Sequence, residues 1–411
     1  MRILYLHPDS WTGEYALLEH LVERGIEVCV FEEQRGLGAA RRNSRYFRTP
    51  GDGMATLWYD PGRGAERILT WLADRIFRRA FDGRNLVHRM WMIRAAVAHF
   101  KPDVAVCSDG FSYAIPAGFL KRLGLMRPRL LVSYIGGDIL DCPEAEYGRR
   151  RTPMVNWLIR KSIPGIDVLR PVSDSLRRVL ERDGADAARI HVIPSHLVAG
   201  LDRLAEIRAR RRELASAIRT RYGIPDGAPL IVTLSGNQKG KGLHVLAQAW
   251  RAVHAALPQC HWLLCGPEDP WLDRSVRPSL ADSSAAQWVH FTGRLSGADV
   301  FEHLAAADLH VNPTLCEGLN MVTVEAAAAG TPSVTSDGAG IAEWVARLGA
   351  GSVVPADDSA ALGDAVIEAL RDTALRLTWQ EHCTNMLGDF SLEHVADQLI
   401  RAARPPASAE S

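Results

Sequence analysis

The residues best placed to do chemistry lie in one stretch, 312–345, which reads NPTLCEGLNMVTVEAAAAGTPSVTSDGAGIAEWV. An apolar run ends at Val311, and a loop with Pro313 and Gly318 precedes a helical pattern that begins at Met321. Asn320 suits the N-cap of that helix, because its side chain can accept from an amide left free in the first turn. Glu317 falls in the loop and Glu325 about a turn and a half into the helix. The free N–H groups of Leu319, Asn320 and Met321 would point out of the helix start beside Gly318. With the helix dipole they favour an anion such as a diphosphate. Glu325 is then placed to accept from a pair of ribose hydroxyls, and Glu317 from sugar hydroxyls. In isolation, two such glutamates are a surface loop with solvated charges. The preceding strand and the Gly-rich helix start set this pair apart.

A second Gly-rich strand-to-helix loop, SGNQKGKG at 235–242, carries Lys239 and Lys241, two of only five lysines in the chain. Alone, it is either an anion site or a flexible basic loop. Asp138 closes YIGGD at 134–138, where it either binds a hydroxyl or caps a helix start. His196 ends IPSH at 193–196 and is either a polar group in a cleft or a structural histidine. No Ser/His/Asp set, no carboxylate pair of the glycosidase kind, no D-x-D triplet and no Cys/His ligand spacing occurs. Neither a covalent nucleophile nor a metal site is therefore legible.

Alternating elements must hold these residues. Ile3–Leu6 reads as a strand, Tyr15–Arg24 as a helix closed by Gly25, and Val28–Phe31 as a strand. That βαβ unit implies a parallel sheet. Further strands are expected at Val104–Cys107, Leu130–Tyr134, Val168–Pro171 and His191–Ile193, with a helix around Tyr113–Leu123. A charged helical stretch, Leu201–Tyr222, leads into the turn-rich GIPDGAP at 223–229. Beyond it, strands Leu230–Leu234, Trp262–Cys265, Trp288–Phe291, Leu309–Val311, Ser333–Thr335 and Gly351–Val354 alternate with helices Leu243–Ala256, Ala298–Ala306, Met321–Ala329 and Ser359–Arg371. The pattern predicts an α/β protein of two Rossmann-like, doubly wound domains, 1–198 and 230–388, joined by a linker region at 199–229. Ligands in such sheets bind beyond the carboxyl ends of the strands, and two facing sheets can share a cleft. Ser391 opens a last helix, Leu392–Ala403, whose Leu392, Val395, Ala396, Leu399 and Ala402 share one face. The polar tail, 405–411, is expected to be disordered.

Composition narrows the classes. The chain has 411 residues, more than one core usually organises. Basic and acidic residues number 48 each, so net charge gives no case for nucleic acid. The seven cysteines are scattered, and reduced thiols in a cytosol are expected. No apolar run approaches the ~20 residues that span a bilayer. MRILYLHPDS does not read as a signal peptide, so a cytoplasmic location is expected. Residues 58–100 are rich in Trp, Phe, Met and Arg. They either pack on the first sheet or dock on the inner face of an anionic membrane as a peripheral contact.

The stretch EGLN-x4-E-A-x-A-x-G-x-P at 317–332 resembles the EGFG-x4-E-A-x-A-x-G-x-P signature of retaining GT-B glycosyltransferases of family 4. Leu319 and Asn320 stand where that family has an aromatic residue and a glycine. LSGNQKGKGLHVLAQAW (234–250), FTGRLSGADVFEHLAAADLHVNPT (291–314) and DGAGIAEWV (337–345) are similar to three further runs of the family, in the same order. The resemblance implies two Rossmann-like domains facing a central cleft, with segment 390–404 crossing back to the first. It implies transfer of a sugar from a nucleotide-diphosphate-sugar, most commonly a UDP-sugar, to an acceptor hydroxyl with retained configuration. Lys241 would neutralise the departing diphosphate, with Glu317 and with Asn237, which replaces the usual Arg, in the reacting centre. Gly13, Gly236, Arg294, Gly318, Leu319, Asn320, Met321 and Glu325 would hold the donor, and Glu14, Asp138 and His196 are acceptor candidates. Ile135 stands where the family has a histidine. No metal and no cofactor would be needed. The alternatives are a related nucleotide-sugar hydrolase or epimerase, and a homologue that binds nucleotide-sugars without turnover.

Overall fold

The computed structural model describes residues 1–6, 14–32, 54–58, 86–198, 201–236, 238–281, 284–295 and 297–405. The expected motif residues Gly13 and Asn237, most of 58–85 and the tail from 406 lie outside the described residues. The chain forms two compact units. The first comprises Met1–Asp141, Gly148–Val198 and Leu392–Ser411, and the second Cys142–Tyr147 and Ala199–Ser391.

Each unit is built on a six-stranded sheet. The first contains β1 (Arg2–Leu6), β2 (Glu27–Glu32), β3 (Met54–Trp58), β4 (Val104–Cys107), β5 (Arg129–Tyr134) and β6 (Val168–Pro171) in the order β3-β2-β1-β4-β5-β6. The second contains β7 (Leu230–Leu234), β8 (His261–Cys265), β9 (Val289–Gly293), β10 (Leu309–Asn312), β11 (Ser333–Ser336) and β12 (Gly351–Val354) in the order β12-β11-β10-β7-β8-β9. Counted within each unit, these are the same order, that of the dinucleotide-binding fold. Every pair is parallel. Parallel pairing needs a crossover between strands, which is why helices alternate with them. Both sheet faces are then covered, so strands such as VAVC at β4 and HWLLC at β8 are buried throughout rather than alternating.

In the first unit, Ile3, Tyr5, Val28, Val104 and Val106 pack beneath the helix Tyr15–Glu23 and the last helix, Leu392–Ala403. That last helix buries Val395, Ala396, Leu399 and Ile400 in this core, and Asp397 pairs with Arg24 on its outer side. Truncation at Gly388 removes this layer, together with Asp389 and Phe390, which pack on Trp344 in the second unit. The expected result is faster amide exchange in β1, β2 and β4. A first unit with exchange unaltered by the truncation would contradict the role of the helix.

The region 199–229, read from sequence as a linker, is instead part of the second unit. It forms two helices, Leu201–Ala209 and Arg211–Tyr222, rather than one. Arg211 donates to the carbonyls of Ala305, Ala307 and Gly330 at 3.0, 2.9 and 2.5 Å, and Arg208 to those of Ala327 and Ala328 at 2.7 and 2.8 Å. These arginines satisfy the last carbonyls of the helices Ala298–Ala306 and Met321–Ala328, the ends where cations are favoured. His191–Ile193, expected as a strand, is not one: its backbone hydrogen bonds to β6 are those from His191 to Leu169 and from Ile193 to Pro171. The edge strand β3 and the long helix Thr373–Asp389 were not legible as such.

Candidate active site

The strand order of the second unit reverses between β7 and β10, and the residues singled out for chemistry follow those two strands. Beyond β7 the chain turns through a short 3₁₀ segment, Lys239–Lys241, into the helix Leu243–Ala256. Gly242 sits between them at φ +67°, where an added Cβ would lie 1.8 Å from the carbonyl oxygen of Pro313. Only glycine lets the two loops approach this closely. They are stitched together by Thr314 Oγ1 and the Leu315 amide, which both donate to the Gly240 carbonyl, at 2.8 and 2.7 Å. The result is a direct ion pair between Lys241 Nζ and Glu317 Oε1.

The Glu317 loop is braced from a third side by residues 338–341. The Glu317 amide donates to Gly338 O at 2.9 Å, Gly340 to Glu317 O at 3.2 Å and Ile341 to Leu319 O at 2.8 Å. A Cβ at Gly338 would stand 2.4 Å from Leu315 O, so the close approach again requires glycine. The helix Met321–Ala328 starts at the end of this loop, with Asn320 Oδ1 accepting from the Thr323 amide at 2.9 Å. The amides of Leu319, Asn320 and Met321 have no acceptor among the described residues. Their open valences and the helix dipole make the helix start electropositive. The Leu319 side chain is buried, so only its backbone is available. Glu325 lies inside the helix, and burial pushes its carboxyl up to about 7.

The other expected donor residues are less tightly grouped. Gly236 is exposed, with open space where a Cβ would be. Arg294 is exposed beyond β9 at the sheet edge, two strands from β7.

In the first unit, Glu14 is buried beside Arg170, Oε1 to Nη1 at 3.5 Å, and its carboxyl is pushed up to about 7, mainly by burial. Arg170 also donates to Ser133 Oγ, Ile193 O and Pro194 O at 3.2, 3.2 and 2.9 Å, linking β5, β6 and the IPSH segment. Asp138, read from sequence as either an acceptor ligand or a cap, makes the contacts of a cap. Its oxygens take the amides of Gly110 at 2.7 Å, Gly136 at 2.8 Å and Ile135 at 3.1 Å, which is the turn-capping role. His196 is buried. Of the described side chains read as a membrane surface, Arg89 and Met92 are buried and Trp91 is partly exposed. Arg89 donates to Ser112 O at 2.6 Å, so it packs rather than docks.

One expectation about cysteine is overturned. Cys142 and Cys316 form a disulfide, with Cα atoms 6.5 Å apart. Residues 142–147 close a tight turn, Cys142 and Tyr147 exchanging backbone hydrogen bonds at 3.0 and 3.1 Å. The turn rests against Gly240, so Cys142 meets the residue just before Glu317. The two cysteines are 174 residues apart, and no local spacing announces the pair. The other five cysteines are buried thiols.

Two Rossmann-like sheets in one chain, with a lysine and a glutamate paired at the switch point of the second, define a GT-B protein. A family model described as Glycosyl transferases group 1 matches residues 228–372, and one described as Glycosyl transferase 4-like domain matches residues 12–196. The chain belongs to the group 1, family 4 type of glycosyltransferases. It is 31% identical over 239 residues to a GDP-mannose-dependent monoacylated alpha-(1-6)-phosphatidylinositol monomannoside mannosyltransferase of Corynebacterium glutamicum, covering 56% of this chain and 60% of that one. It is 28% identical over 262 residues to a GDP-mannose-dependent alpha-(1-6)-phosphatidylinositol monomannoside mannosyltransferase of Mycobacterium tuberculosis, covering 62% of this chain and 66% of that one. Both matches therefore span less than two thirds of the relative's length. The fold matches that of the sucrose-phosphate synthase of Thermosynechococcus elongatus, with a TM-score of 0.71, 19% identity, and 98% of each chain covered. No helix among the described residues is long and apolar enough to cross a membrane.

Proposed function

We propose that the chain transfers a sugar from a nucleoside-diphosphate-sugar to an acceptor hydroxyl, with retained configuration and without a metal ion. The Lys241–Glu317 pair at the switch point of the second unit, beside an electropositive helix start, carries this reading. The diphosphate would lie at the amides of Leu319–Met321, with Lys241 supplying the positive charge that its departure needs. Glu317 would hold sugar hydroxyls and Glu325 the ribose. Holding two substrates in register while charge separates requires no covalent nucleophile. Retention rests on the family 4 signature at 317–332.

GDP-mannose is the first donor to test, because the two relatives above are named for it, with UDP-sugars as the second arm. Their names also make a phosphatidylinositol mannoside the first acceptor to test, met at the inner face of a membrane. Purified protein is incubated with each donor, with and without acceptor, and free nucleotide is measured. Acceptor-dependent release is the expected result. Release without acceptor supports a hydrolase, and binding without turnover an inactive homologue. Activity should survive a strong chelator, and complete loss that magnesium restores would refute metal independence.

Burial of Glu325 gives a pH signature. Its carboxyl titrates at about 7, and only the ionised form accepts from both ribose hydroxyls. Affinity for the nucleotide-sugar, whose diphosphate does not titrate in this range, should therefore rise with pH. Between pH 6 and pH 8 the gain should be about tenfold, given a carboxyl titrating at about 7. Glu325→Gln should bind weakly and flatten the dependence. A wild-type protein with pH-independent affinity would remove Glu325 from the ribose site.

A further inference from the structure

Asn320 has a backbone conformation of φ +88°, ψ 87°, in the positive-φ region that glycine enters freely and asparagine better than most other residues. Its side chain is buried, and all its hydrogen-bonding capacity is used within the protein. Oδ1 accepts from the Thr323 amide and from Thr323 Oγ1, both at 2.9 Å. Nδ2 donates to Glu317 Oε2 at 2.9 Å and to Asn312 Oδ1 at 3.2 Å. The orientation of the amide is unambiguous, because the Thr323 N–H can only donate and must face the oxygen. Asn312 continues the chain, donating from Nδ2 to Thr335 Oγ1 at 2.9 Å. A row of buried polar groups thus runs from the ends of β11 and β10 to the Glu317 carboxylate.

Glu317 therefore has a different donor on each oxygen, charged Lys241 on one and neutral Asn320 on the other. We propose that Asn320 is the positioning residue for Glu317, fixing the carboxylate to the same helix start that would receive the diphosphate. The inference rests on Glu317 being a ligand of the donor sugar. A diphosphate draws on the charge of Lys241, and the amide of Asn320 then keeps Glu317 in place without cancelling its charge. Glycine in this position would allow the same backbone turn but leave the carboxylate held from one side only.

Two variants separate positioning from helix capping. Asn320→Gly keeps the backbone conformation and removes both roles. Asn320→Asp keeps the cap, since aspartate caps helices as well as asparagine does, but turns an acceptor toward Glu317. The expected order of kcat/KM with the nucleotide-sugar is wild type, then Asn320→Gly lower by roughly tenfold, then Asn320→Asp lower by roughly a hundredfold. Affinity for the bare nucleoside diphosphate, which has no sugar for Glu317 to hold, should stay within about twofold in folded Asn320→Gly, which keeps the backbone turn and adds no charge, whereas Asn320→Asp sets a negative charge beside the diphosphate and should weaken it. An Asn320→Asp protein as active as wild type, or more active than Asn320→Gly, overturns the positioning role while the donor site stands. A wild-type chain that binds no nucleotide-sugar overturns the donor site itself, and the inference with it.

Discussion

Lys241→Ala should lower kcat by about 10²–10³-fold, the usual loss when one preorganised electrostatic group is removed from a reacting centre. Affinity for the nucleotide-sugar should change far less. The reason is differential: the phosphate is a diester in the bound donor and gains charge only as the glycosidic bond breaks. The geometry supports the size of the effect. Lys241 is half-buried, fixed by the 3₁₀ turn before Gly242 and already paired with Glu317, so its position is set before a donor arrives. The measurement is kcat and KM in a variant whose melting temperature matches wild type. A kcat within a few-fold of wild type would remove Lys241 from the reaction, and a large rise in KM at constant kcat would make it a binding group only.

Breaking the Cys142–Cys316 link should be the largest single loss of stability. The bridge closes a loop across 174 residues of sequence, for which chain entropy gives about 5 kcal/mol as an upper figure. For a unit of this size that corresponds to a fall of about 10–20 °C in melting temperature. Cys142→Ser, or a dithiol reductant on the wild-type protein, should give the same fall, and the reductant should do nothing further to the variant. Fluorescence of the buried Trp250 and Trp262 reports the second unit alone. A midpoint unmoved by either treatment would show that the link contributes nothing.

The fold was legible where local pattern and tertiary role agree. Strands of parallel sheets are short and apolar throughout, and β1, β4, β7 and β8 read that way because both their faces are covered. The edge strand β3 carries no such signal. The helix pair 201–222 reads as a solvated linker because it is arginine-rich, but Arg208 and Arg211 spend their charge on carbonyls far away in sequence. Within the candidate site, Glu317, Lys241 and Asn320 stand out because each lies in one of two loops between a strand and a helix, the Lys241 loop being rich in glycine. Three things could not be read. The bridge partner of Cys316 is set by a turn elsewhere in the chain. The link from Asn320 to Asn312 depends on two side chains meeting across a strand end. The three amides that donate to Asp138 are brought to it only by the fold.

The last helix imposes an order on synthesis. The first unit needs Leu392–Ala403 to cover Ile3, Val28 and Val104, yet about 190 residues separate Val198 from Leu392. At ribosomal rates of about 5–20 residues per second, the first sheet waits roughly 10–40 s for its final layer. Almost all of the second unit, from Ala199 to Ser391, emerges during that interval and can close its core first. The half of the chain made first is therefore finished last, and its uncovered sheet face is what a chaperone would meet on the nascent chain.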